Sequence, residues 1–265
     1  MSILQTFSLE GKTALITGGN SGIGFGIGRA FGQAGARVAF VCSKQASLER
    51  GYENYERAGV DAKGWLCDVS DEDRVAEVVA EVERELGPVG ILVNNAGIVK
   101  RMPSLEMSAA DFRHIVDINL SGQFIVTKAV IPSMQKLGGG KVINIGSIMS
   151  EIGRANVAAY NAAKGGVKIL TSSLADEYGE YNIQVNAIGP GFIITDMTKA
   201  LRTPQPDGTP HPMKAFVEKR TPAARWGTPA DIAGPALFLA SSASNYVNGH
   251  MLYVDGGLVA TFGKI

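Results

Sequence analysis

The chain has 265 residues, 45% of them apolar, and its formal net charge at pH 7 is zero. This composition is typical of a globular protein with a sizeable core, and the balanced charge gives no general argument for nucleic acid or an anionic membrane as a partner. Two cysteines, Cys42 and Cys67, are too few for a disulfide framework. The N-terminal residues Met1–Glu10 lack the pattern of a secretion signal. No apolar run approaches the ~18 residues of a membrane span. We therefore expect a cytoplasmic protein.

Apolar runs of strand length alternate with longer helical patterns along nearly the whole chain. The predicted strands are Thr13–Thr17, Arg37–Val41, Ala62–Leu66, Ile91–Asn94, Lys141–Ile145, Gln184–Ile188 and Met251–Val254. The predicted helices are Ile23–Ala34, Ser47–Ala58, Asp71–Leu86, Ala109–Leu137, Val157–Tyr178 and Pro229–Ala240. Because the strands are almost continuously apolar, we expect helices to cover both faces of a parallel sheet. The sequence therefore predicts one α/β domain over residues 1–265, a doubly wound parallel sheet of about seven strands with helices on both faces (the Rossmann fold).

A glycine-rich loop, Thr17–Gly24, joins the first predicted strand to the first predicted helix. Its glycines permit a tight turn and let a pyrophosphate approach the helix N-terminus, although a plain strand-to-helix turn has a similar composition. The strand before the loop and the helix after it favour nucleotide binding. The predicted cofactor contacts in this loop are Gly18, Asn20, Ser21, Gly22, Ile23 and Gly24.

The end of the second predicted strand bears on the choice between NAD(H) and NADP(H). An Asp or Glu near residue 42 would bind a ribose 2′-hydroxyl and repel a 2′-phosphate, but the chain has Cys42, Ser43 and Lys44 there. Ser43 and Lys44 are able to hold a phosphate, with a solvated surface charge as the alternative interpretation of Lys44. NADP(H) is therefore favoured as the cofactor, and NAD(H) stays open.

Polar and small residues follow the third and fourth predicted strands. The carboxylate of Asp68, next to Val69, suits an adenine amino group. The alternative is a helix cap, for which the two residues at 70–71 are better placed. After the fourth strand, the residues expected close to the cofactor are Asn95, Ala96 and Gly97.

Tyr160 and Lys164 stand four residues apart in a predicted helix, downstream of Ser147. Residues at this spacing share a helix face, so we expect the Lys164 ammonium to lower the Tyr160 pKa from its usual ~10. Such a tyrosine exchanges a proton with a carbinol oxygen, which Ser147 would hold by a hydrogen bond. The group suits interconversion of an alcohol and a ketone, although Tyr-x-x-x-Lys alone is also common on packed helix faces.

The segment 191–220 interrupts the alternation of strands and helices. It follows a predicted strand and contains four prolines with polar residues between them. An irregular excursion of this length inside a compact domain is often an active-site lid. We expect it at the carboxyl edge of the sheet, where open α/β sheets bind their ligands.

Together, these motifs resemble the short-chain dehydrogenase/reductase family over nearly the whole chain. The resemblance implies an NAD(P)-dependent oxidoreductase, commonly a homotetramer, with a catalytic tetrad of Asn119, Ser147, Tyr160 and Lys164. In that family, the residue matching Asn119 kinks its helix and holds a water that connects the lysine to solvent. The family segment that runs under the nicotinamide matches Pro190, Gly191, Ile193 and Thr195.

Within the family, segments such as Ile98–Arg101 and Val247–His250 are similar to the gluconate 5-dehydrogenase branch. The resemblance implies D-gluconate and 5-keto-D-gluconate as the substrate pair. Arg101 suits a sugar-acid carboxylate, with a solvated loop charge as the alternative interpretation. The candidate substrate contacts are Arg101, Ser147, Tyr160, Glu151 and His211. That branch often has an acidic residue in place of Cys42, so its cofactor tolerance does not transfer to this chain.

Other functions stay open on the sequence alone. A keto-deoxy sugar acid and a 3-oxoacyl thioester are alternative substrates, and an acyl chain would require an extended apolar channel rather than an arginine. A regulator that binds NADP(H) without turnover is less favoured, because all four tetrad residues are present. No grouping of His, Cys and carboxylates has metal-ligand spacing, so we expect no catalytic metal.

Overall fold

The computed structural model describes residues 2–262 and contains one parallel β-sheet. Its strands are β1 (Thr13–Thr17), β2 (Arg37–Cys42), β3 (Ala62–Leu66), β4 (Val89–Asn94), β5 (Gly140–Ile145), β6 (Ile183–Pro190) and β7 (Met251–Val254). They are hydrogen-bonded in the order β3-β2-β1-β4-β5-β6-β7, and all six pairings are parallel. The prediction of a parallel sheet of seven strands is confirmed.

Helices cover both faces of this sheet. They are α1 (Gly22–Gln33), α2 (Gln45–Arg57), α3 (Glu72–Leu86), α4 (Ala109–Val116), α5 (Gly122–Lys136), α6 (Ala158–Tyr178), α7 (Pro212–Arg220) and α8 (Pro229–Ala240). Successive strand residues enter opposite cores: Val41 packs in a cluster with residues of α3 and α5, and Phe40 in a cluster with residues of α1 and α8. This alternation explains why the strands are apolar throughout. Within residues 2–262, no helix combines the length and apolarity required to cross a membrane.

The order of the strands creates a crevice at the carboxyl edge of the sheet. β1 pairs with β2 on one side and with β4 on the other, so the strand order reverses at β1. The connections that leave the two sides of such a reversal run on opposite faces of the sheet. The loops after β1 and β4 therefore diverge around a crevice in which ligands of open α/β sheets bind.

The helix predicted at 109–137 is interrupted by one turn of π-helix. α4 ends at Val116, Asp117–Ser121 form the π-helical turn, and α5 begins at Gly122. Within this turn, Asn119 Nδ2 donates to the carbonyl oxygens of Ile98 (2.9 Å) and Ile115 (2.8 Å). A wider turn of this kind is frequent at functional sites. The kink that the family resemblance implied at Asn119 is present as this π-helical turn.

The segment 191–220 is more regular than the prediction of an irregular excursion. It contains a 3-10 helix at Asp196–Leu201 and the helix α7, with Pro212 in the first turn. Proline is favoured in a first turn because no helical hydrogen bond is lost there. Leu201, Val217 and Trp226 form a small apolar cluster of their own. The prolines at 204, 206 and 210 lie in the loop between the two helices, so the expectation of irregular backbone holds for that loop and for residues 191–195.

Candidate active site

The loop between β1 and α1 leaves an uncapped helix N-terminus facing the crevice. Gly18 has φ +62°, a conformation that favours glycine, and a Cβ atom at Gly24 would lie 2.4 Å from the Gly18 carbonyl oxygen. Ser21 precedes α1, but its side chain makes no capping hydrogen bond. Free N–H groups at a helix N-terminus attract phosphate oxygens, so the loop fits the pyrophosphate of a dinucleotide.

Hydrogen bonds fix the ends of β1 and β4 next to each other. Thr17 Oγ1 accepts from the backbone N–H groups of Asn95 and Ala96, both at 2.9 Å. Asn95 Nδ2 donates to the carbonyl oxygens of Thr17 (2.9 Å) and Gly18 (3.1 Å). The amide nitrogen of Asn95 is therefore committed to the glycine loop, and the residue lines the cleft.

The predicted cofactor residues are brought together around one cleft of about 330 Å³. Those that line it are Gly18, Asn20, Ser21, Gly22, Ile23, Asn95, Ala96, Gly97, Tyr160, Lys164, Pro190, Gly191, Ile193 and Thr195. Gly24 does not line the cleft; it lies behind Gly18 and is required for the close packing of loop and helix. The cleft extends from the start of α1 to Ser147 and Tyr160, which places a nucleotide site next to the candidate catalytic group.

A second pocket adjoins this cleft at the ends of β2 and β3. Ser43, Asp68 and Val69 line it, together with residues of the glycine loop, but Lys44 does not. Lys44 instead precedes α2 with its side chain making no capping bond. Asp68 Oδ1 accepts from the N–H and hydroxyl of Ser70, and these hydrogen bonds lower the pKa of Asp68. The cap of α3 is Asp71 and not Asp68.

Ser147 and Tyr160 form the centre of the candidate catalytic site. Ser147 follows β5 and is 7% exposed, and its Oγ accepts from the Met149 N–H at 3.1 Å. Burial raises the pKa of Tyr160, and this effect is opposed by a hydrogen bond with Ser147 and by the charge of Arg101. The expectation that Lys164 lowers the Tyr160 pKa is therefore not met, because the net shift is upward and burial is its largest cause.

Lys164 is buried one helical turn after Tyr160. Its Nζ donates to the carbonyl oxygen of Ile145 at 2.6 Å and lies 5.8 Å from the centroid of the Tyr160 ring. Burial lowers the pKa of Lys164 to about 7 because the ammonium loses its hydration. A lysine with this pKa gains and loses a proton near neutral pH, which suits a role in proton transfer.

Asn119 completes the group on the opposite wall of the cleft. Its Nδ2 bonds fix the side chain, whereas its Oδ1 is buried with no hydrogen-bond partner among residues 2–262. Leaving a buried acceptor without a partner costs about 1–3 kcal/mol. The free acceptor indicates a place for a water or ligand donor, as the family resemblance implied for this residue.

A smaller pocket adjoins Ser147 and Tyr160 on the side away from the nucleotide cleft. Arg101 and Arg154 line it, with apolar side chains that include Phe192. Arg101 Nη2 donates to the Met197 carbonyl oxygen at 3.3 Å, and the Arg154 guanidinium lies 5.9 Å from the Phe192 ring centroid. Burial and the charge of Arg101 both lower the pKa of Arg154. Two cations therefore share the pocket that contains the candidate reacting atoms.

Two predicted substrate contacts lie outside this pocket. The Glu151 carboxylate accepts from Lys168 Nζ and from the Tyr253 hydroxyl, the latter at 2.8 Å, so it belongs to a network with residues of α6 and β7. His211 caps α7, and its Nδ1 accepts from the Met213 N–H at 3.1 Å. Neither side chain lines the cleft or the adjoining pocket, because each is held by its own local hydrogen bonds.

Sequence reasoning missed Arg50 and Asp196. Both line the nucleotide cleft, and Arg50 Nη1 donates to Asp196 Oδ2 at 2.8 Å while its Nη2 donates to Ser21 Oγ at 3.0 Å. The two charged residues are 146 positions apart in the chain. Because no local motif connects α2 with the segment after β6, the sequence carried no signal for this pair.

The doubly wound sheet, the phosphate-binding loop and the Ser147–Tyr160–Lys164 group define a nicotinamide-dependent oxidoreductase. A family model described as enoyl-(acyl carrier protein) reductase matches residues 18–259. The chain is 49% identical over 262 residues to 2-dehydro-3-deoxy-D-gluconate 5-dehydrogenase of Formosa agariphila, covering 98% of this chain and 97% of that protein. This chain therefore belongs to the short-chain dehydrogenase/reductase family.

Solved structures of relatives have the same fold. The 2-keto-3-deoxy-D-gluconate dehydrogenase of Streptococcus agalactiae is 55% identical with a TM-score of 0.83, covering 97% of each chain. A gluconate 5-dehydrogenase of Burkholderia cenocepacia, in complex with NADP and tartrate, is 36% identical with a TM-score of 0.90, covering 98% of this chain and 100% of that one. The similarity extends over 97% and 98% of this chain, respectively.

Proposed function

We propose that this protein reversibly transfers a hydride between NADP(H) and carbon 5 of a sugar acid, with D-gluconate and 5-keto-D-gluconate as the first candidate pair. The observation that carries the proposal is the pocket in which Arg101 and Arg154 stand beside Ser147 and Tyr160. It joins a group suited to exchange of a proton with a carbinol to cations suited to a carboxylate. The relatives from Formosa agariphila and Burkholderia cenocepacia are named 5-dehydrogenases of sugar acids.

Each polar residue of the site has a defined task in this proposal. Ser147 holds the carbinol or ketone oxygen by a hydrogen bond, and Tyr160 gives or takes the proton at that oxygen. Lys164 and Asn119 support the movement of this proton, since the Lys164 pKa lies near neutrality and Asn119 has a free acceptor. When bound, the nicotinamide cofactor supplies or accepts the hydride.

The raised pKa of Tyr160 bears on the direction of proton transfer. A buried phenol that stays protonated at neutral pH is ready to donate to the oxygen of a ketone. Removal of its proton requires added positive charge nearby, and Arg101 already opposes the rise in pKa. The raised pKa of Tyr160 therefore favours donation of its proton to a ketone oxygen.

The two arginines favour an acidic substrate over an acyl thioester. Neither Arg101 nor Arg154 takes part in any ion pair within residues 2–262, so neither charge is balanced by a carboxylate of the protein there. An arginine binds a carboxylate through two parallel N–H donors, which fixes the orientation of the substrate as well as its position. Although the matching family model is described by an acyl substrate, two unpaired cations beside the reacting atoms suit a sugar acid better.

The preference for NADP(H) rests on the pocket at the ends of β2 and β3. Ser43 lines this pocket, and no acidic residue stands at the end of β2 to repel a 2′-phosphate. The relative from Burkholderia cenocepacia has NADP bound. We extend this cofactor preference to the chain; Lys44, which does not line the pocket, contributes less to it than the sequence suggested.

A second candidate substrate is 2-dehydro-3-deoxy-D-gluconate. The relatives that carry this name are 49% and 55% identical to the chain, against 36% for the gluconate 5-dehydrogenase structure. Both candidates have a carboxylate and a carbinol at carbon 5, so the same pocket serves either. They differ at carbons 2 and 3, at the end of the molecule next to the carboxylate.

The test is a substrate panel followed by absorbance of the reduced cofactor. Purified protein is assayed with D-gluconate and 2-dehydro-3-deoxy-D-gluconate, each with NADP⁺ and NAD⁺ in parallel, and in reverse with 5-keto-D-gluconate and NADPH. We expect turnover of a sugar acid, with NADP⁺ preferred. Turnover of a 3-oxoacyl thioester but of neither sugar acid would reject the proposal.

The assembly, location and lid also stay proposals. We propose a homotetramer, supported by exposed apolar side chains on α5 and α6, with Phe124 46% and Ile169 68% exposed. We also propose a cytoplasmic location, supported by two free buried thiols. We further propose that residues 191–220 close over the substrate, since Met197 and Leu201 line its pocket. Light scattering tests the tetramer, and protection of this segment from proteolysis by ligands tests the lid.

A further inference from the structure

A separate cavity of about 350 Å³ lies at the amino edge of the sheet, opposite the catalytic cleft and its adjoining pockets. The first residues of β1, β2 and β5 border it, so the cleft and this cavity occupy the two ends of the same strands. Lys12, Arg37 and Lys141 contribute cationic side chains, and no Asp or Glu is among its lining residues. A cavity as large as the active site with charges of one sign is suited to a ligand of the other sign.

Lys141 is the most buried of the three cations, with 5% of its surface exposed. Its Nζ donates to Asn245 Oδ1 at 2.9 Å and to Ser244 Oγ at 3.3 Å, both neutral oxygens. Burial and, to a smaller extent, the positive charge of Lys12 together lower the pKa of Lys141 to about 8. At neutral pH the ammonium is still largely protonated, so a charge is kept in the protein interior without a carboxylate to balance it.

Lys12 and Arg37 extend this unbalanced charge across the cavity. Burial lowers the pKa of Lys12, and within residues 2–262 its ammonium takes part in no hydrogen bond or ion pair. Arg37 Nη2 donates to the Gly11 carbonyl oxygen at 2.9 Å and its Nε to Thr13 Oγ1 at 3.3 Å. Its guanidinium is therefore held in place by neutral acceptors, and its remaining N–H groups are available to a ligand.

The buried Lys141 ammonium, with the half-buried Lys12 beside it as a like charge, is unfavourable in the absence of a counter-ion, whereas Arg37 is exposed and bears little of this cost. Removing a charge from water costs several kcal/mol per ion unless a partner of opposite sign compensates, and like charges add to that cost. Near the same edge of the sheet, Lys63 is paired with the Glu85 carboxylate at 3.3 Å, whereas no carboxylate lines the cavity. The lack of such a carboxylate at the cavity indicates that the compensating charge comes from outside the chain.

We propose that this cavity is a binding site for a small phosphate-bearing anion, separate from the catalytic cleft and bound by Lys12, Arg37 and Lys141. Lysine supplies point charges and arginine a planar fork of donors, a combination that suits the several oxygens of a phosphate or pyrophosphate group. The side-chain amides of Asn182 and Gln184 also line the cavity and add neutral polar groups. The site does not depend on the sugar-acid activity, because it lies at the other end of the sheet.

The probe is inorganic pyrophosphate, titrated at constant ionic strength into protein saturated with NADPH. The bound nucleotide fills the phosphate-binding loop of the catalytic cleft, so further stabilisation in thermal unfolding reports a different site. We expect pyrophosphate to raise the unfolding temperature of the wild type. The Lys12→Gln variant should bind it at least tenfold more weakly. Lys128→Gln, which removes an exposed lysine paired with Glu72, is the control and should retain wild-type affinity.

Lys141→Met provides a second variant at the buried position and should also lose affinity. Should it fail to fold, Lys12→Gln still decides the matter, because Lys12 is only partly buried. Loss of the pyrophosphate effect whenever NADPH is saturating would overturn the proposal, since binding would then belong to the catalytic cleft. Equal affinity in the wild type and Lys12→Gln would overturn it as well. The kcat of the sugar-acid reaction should be unchanged in Lys12→Gln, which separates this test from that of the proposed function.

Discussion

The two ends of strand β5 are each associated with a buried lysine, and the two lysines are surrounded differently. At the carboxyl end, the Ile145 carbonyl oxygen accepts from Lys164; at the amino end, Lys141 is itself a residue of the strand. Both ammonium groups donate to neutral oxygens, and burial lowers both pKa values, to about 7 and about 8. Lys164 stands beside a tyrosine and a serine, whereas Lys141 faces a second lysine.

This difference shows how the surroundings of a buried lysine determine its chemistry. A lysine near the phenol of Tyr160 and titrating near neutrality suits proton transfer, since it changes charge at the pH at which the reaction runs. A lysine that stays charged next to another cation suits binding of an anion. Neither lysine is balanced by a carboxylate, and we infer that the ligand completes each site: the cofactor and substrate at Lys164, and a phosphate-bearing anion at Lys141.

The largest expected effect is the loss of turnover in Tyr160→Phe. Removal of the phenolic hydroxyl eliminates proton exchange with the carbinol oxygen, a contribution of about 10²–10⁴-fold in rate. We expect kcat for the sugar acid to fall by at least that factor, while NADPH binding, followed by its fluorescence, is retained. Activity close to that of the wild type would show that another group exchanges the proton with the substrate. The site of Lys164 would then no longer differ from that of Lys141 by a role in proton transfer.

Arg101→Ala should have the next largest effect, on the recognition of substrate. Its guanidinium lines the substrate pocket without a carboxylate partner, and a hydrogen bond to a charged group is worth about 1.5–3 kcal/mol. We expect kcat/KM for the sugar acid to fall by about 10–100-fold, mostly through KM, with the KM for NADP⁺ unchanged. Arg101→Lys, which keeps the charge but loses the planar fork, is the matched control and should recover part of the loss. An unchanged KM in the Ala variant would show that Arg101 is a solvated loop charge.

Lys141→Met should change the stability of the protein and its dependence on pH. The pKa of Lys141 is lowered from 10.5 to about 8, so the unfolded chain binds more protons than the folded one between these values. In the wild type, the buried Lys141 ammonium therefore destabilises the fold by its full amount below about pH 8. The free energy of unfolding rises as the pH increases from about 8 toward 10.5. The lowering of the pKa from 10.5 to about 8 corresponds to a cost of about 3 kcal/mol in the free energy of unfolding, which the substitution removes. The substitution also removes two hydrogen bonds, each worth about 1 kcal/mol.

We therefore expect Lys141→Met, without added anion, to be about 1 kcal/mol more stable than the wild type at pH 7. Its free energy of unfolding should also rise less steeply with pH above 8. Urea unfolding at pH 7 and pH 9.5 measures both effects, with Lys128→Met as the exposed control. Parallel pH profiles of the wild type and Lys141→Met would show that the Lys141 charge is compensated within the protein.

The contrast between the two lysines also explains what the sequence predicts and what it does not. Lys164 is found from the sequence because a helix fixes the spacing between it and Tyr160, and the glycine loop is found because strand, turn and helix are adjacent. Lys141 carries no such signal, since its partners Ser244 and Asn245 are 103 and 104 residues away. Arg50 and Asp196 lack a local signal for the same reason. Glu151 is a candidate because it follows Ser147, and His211 because it lies in the segment 191–220, but Glu151 accepts from the distant Tyr253 and His211 caps α7.

The fold itself was predictable because it depends on local patterns. Continuous apolar strands and regular alternation with helices specify a doubly wound sheet without knowledge of any distant contact. The break of the helix at 117–121 was not visible in the apolar pattern, because a π-helical turn adds a hydrogen bond of different spacing without changing which residues are apolar. Helix α7 was hidden by the prolines near it, although Pro212 in its first turn is compatible with a helix.

The smallest expected effect concerns Arg50, a cation of the cleft that does have a carboxylate partner. Arg50 and Asp196 are 46% and 73% exposed, so the energy of their ion pair is about 0–1 kcal/mol. Arg50 also donates to Ser21 of the glycine loop, which places it where a cofactor phosphate would bind.

If Arg50 contacts that phosphate, Arg50→Gln should weaken NADPH binding several-fold in low salt, whereas Asp196→Asn should leave NADPH binding unchanged or improve it. If instead the pair only connects the segment 191–220 to α2, both variants should have the same effect. Fluorescence titration of NADPH with the two variants decides between these outcomes, and a phosphate contact further predicts that the defect of Arg50→Gln becomes smaller as salt rises.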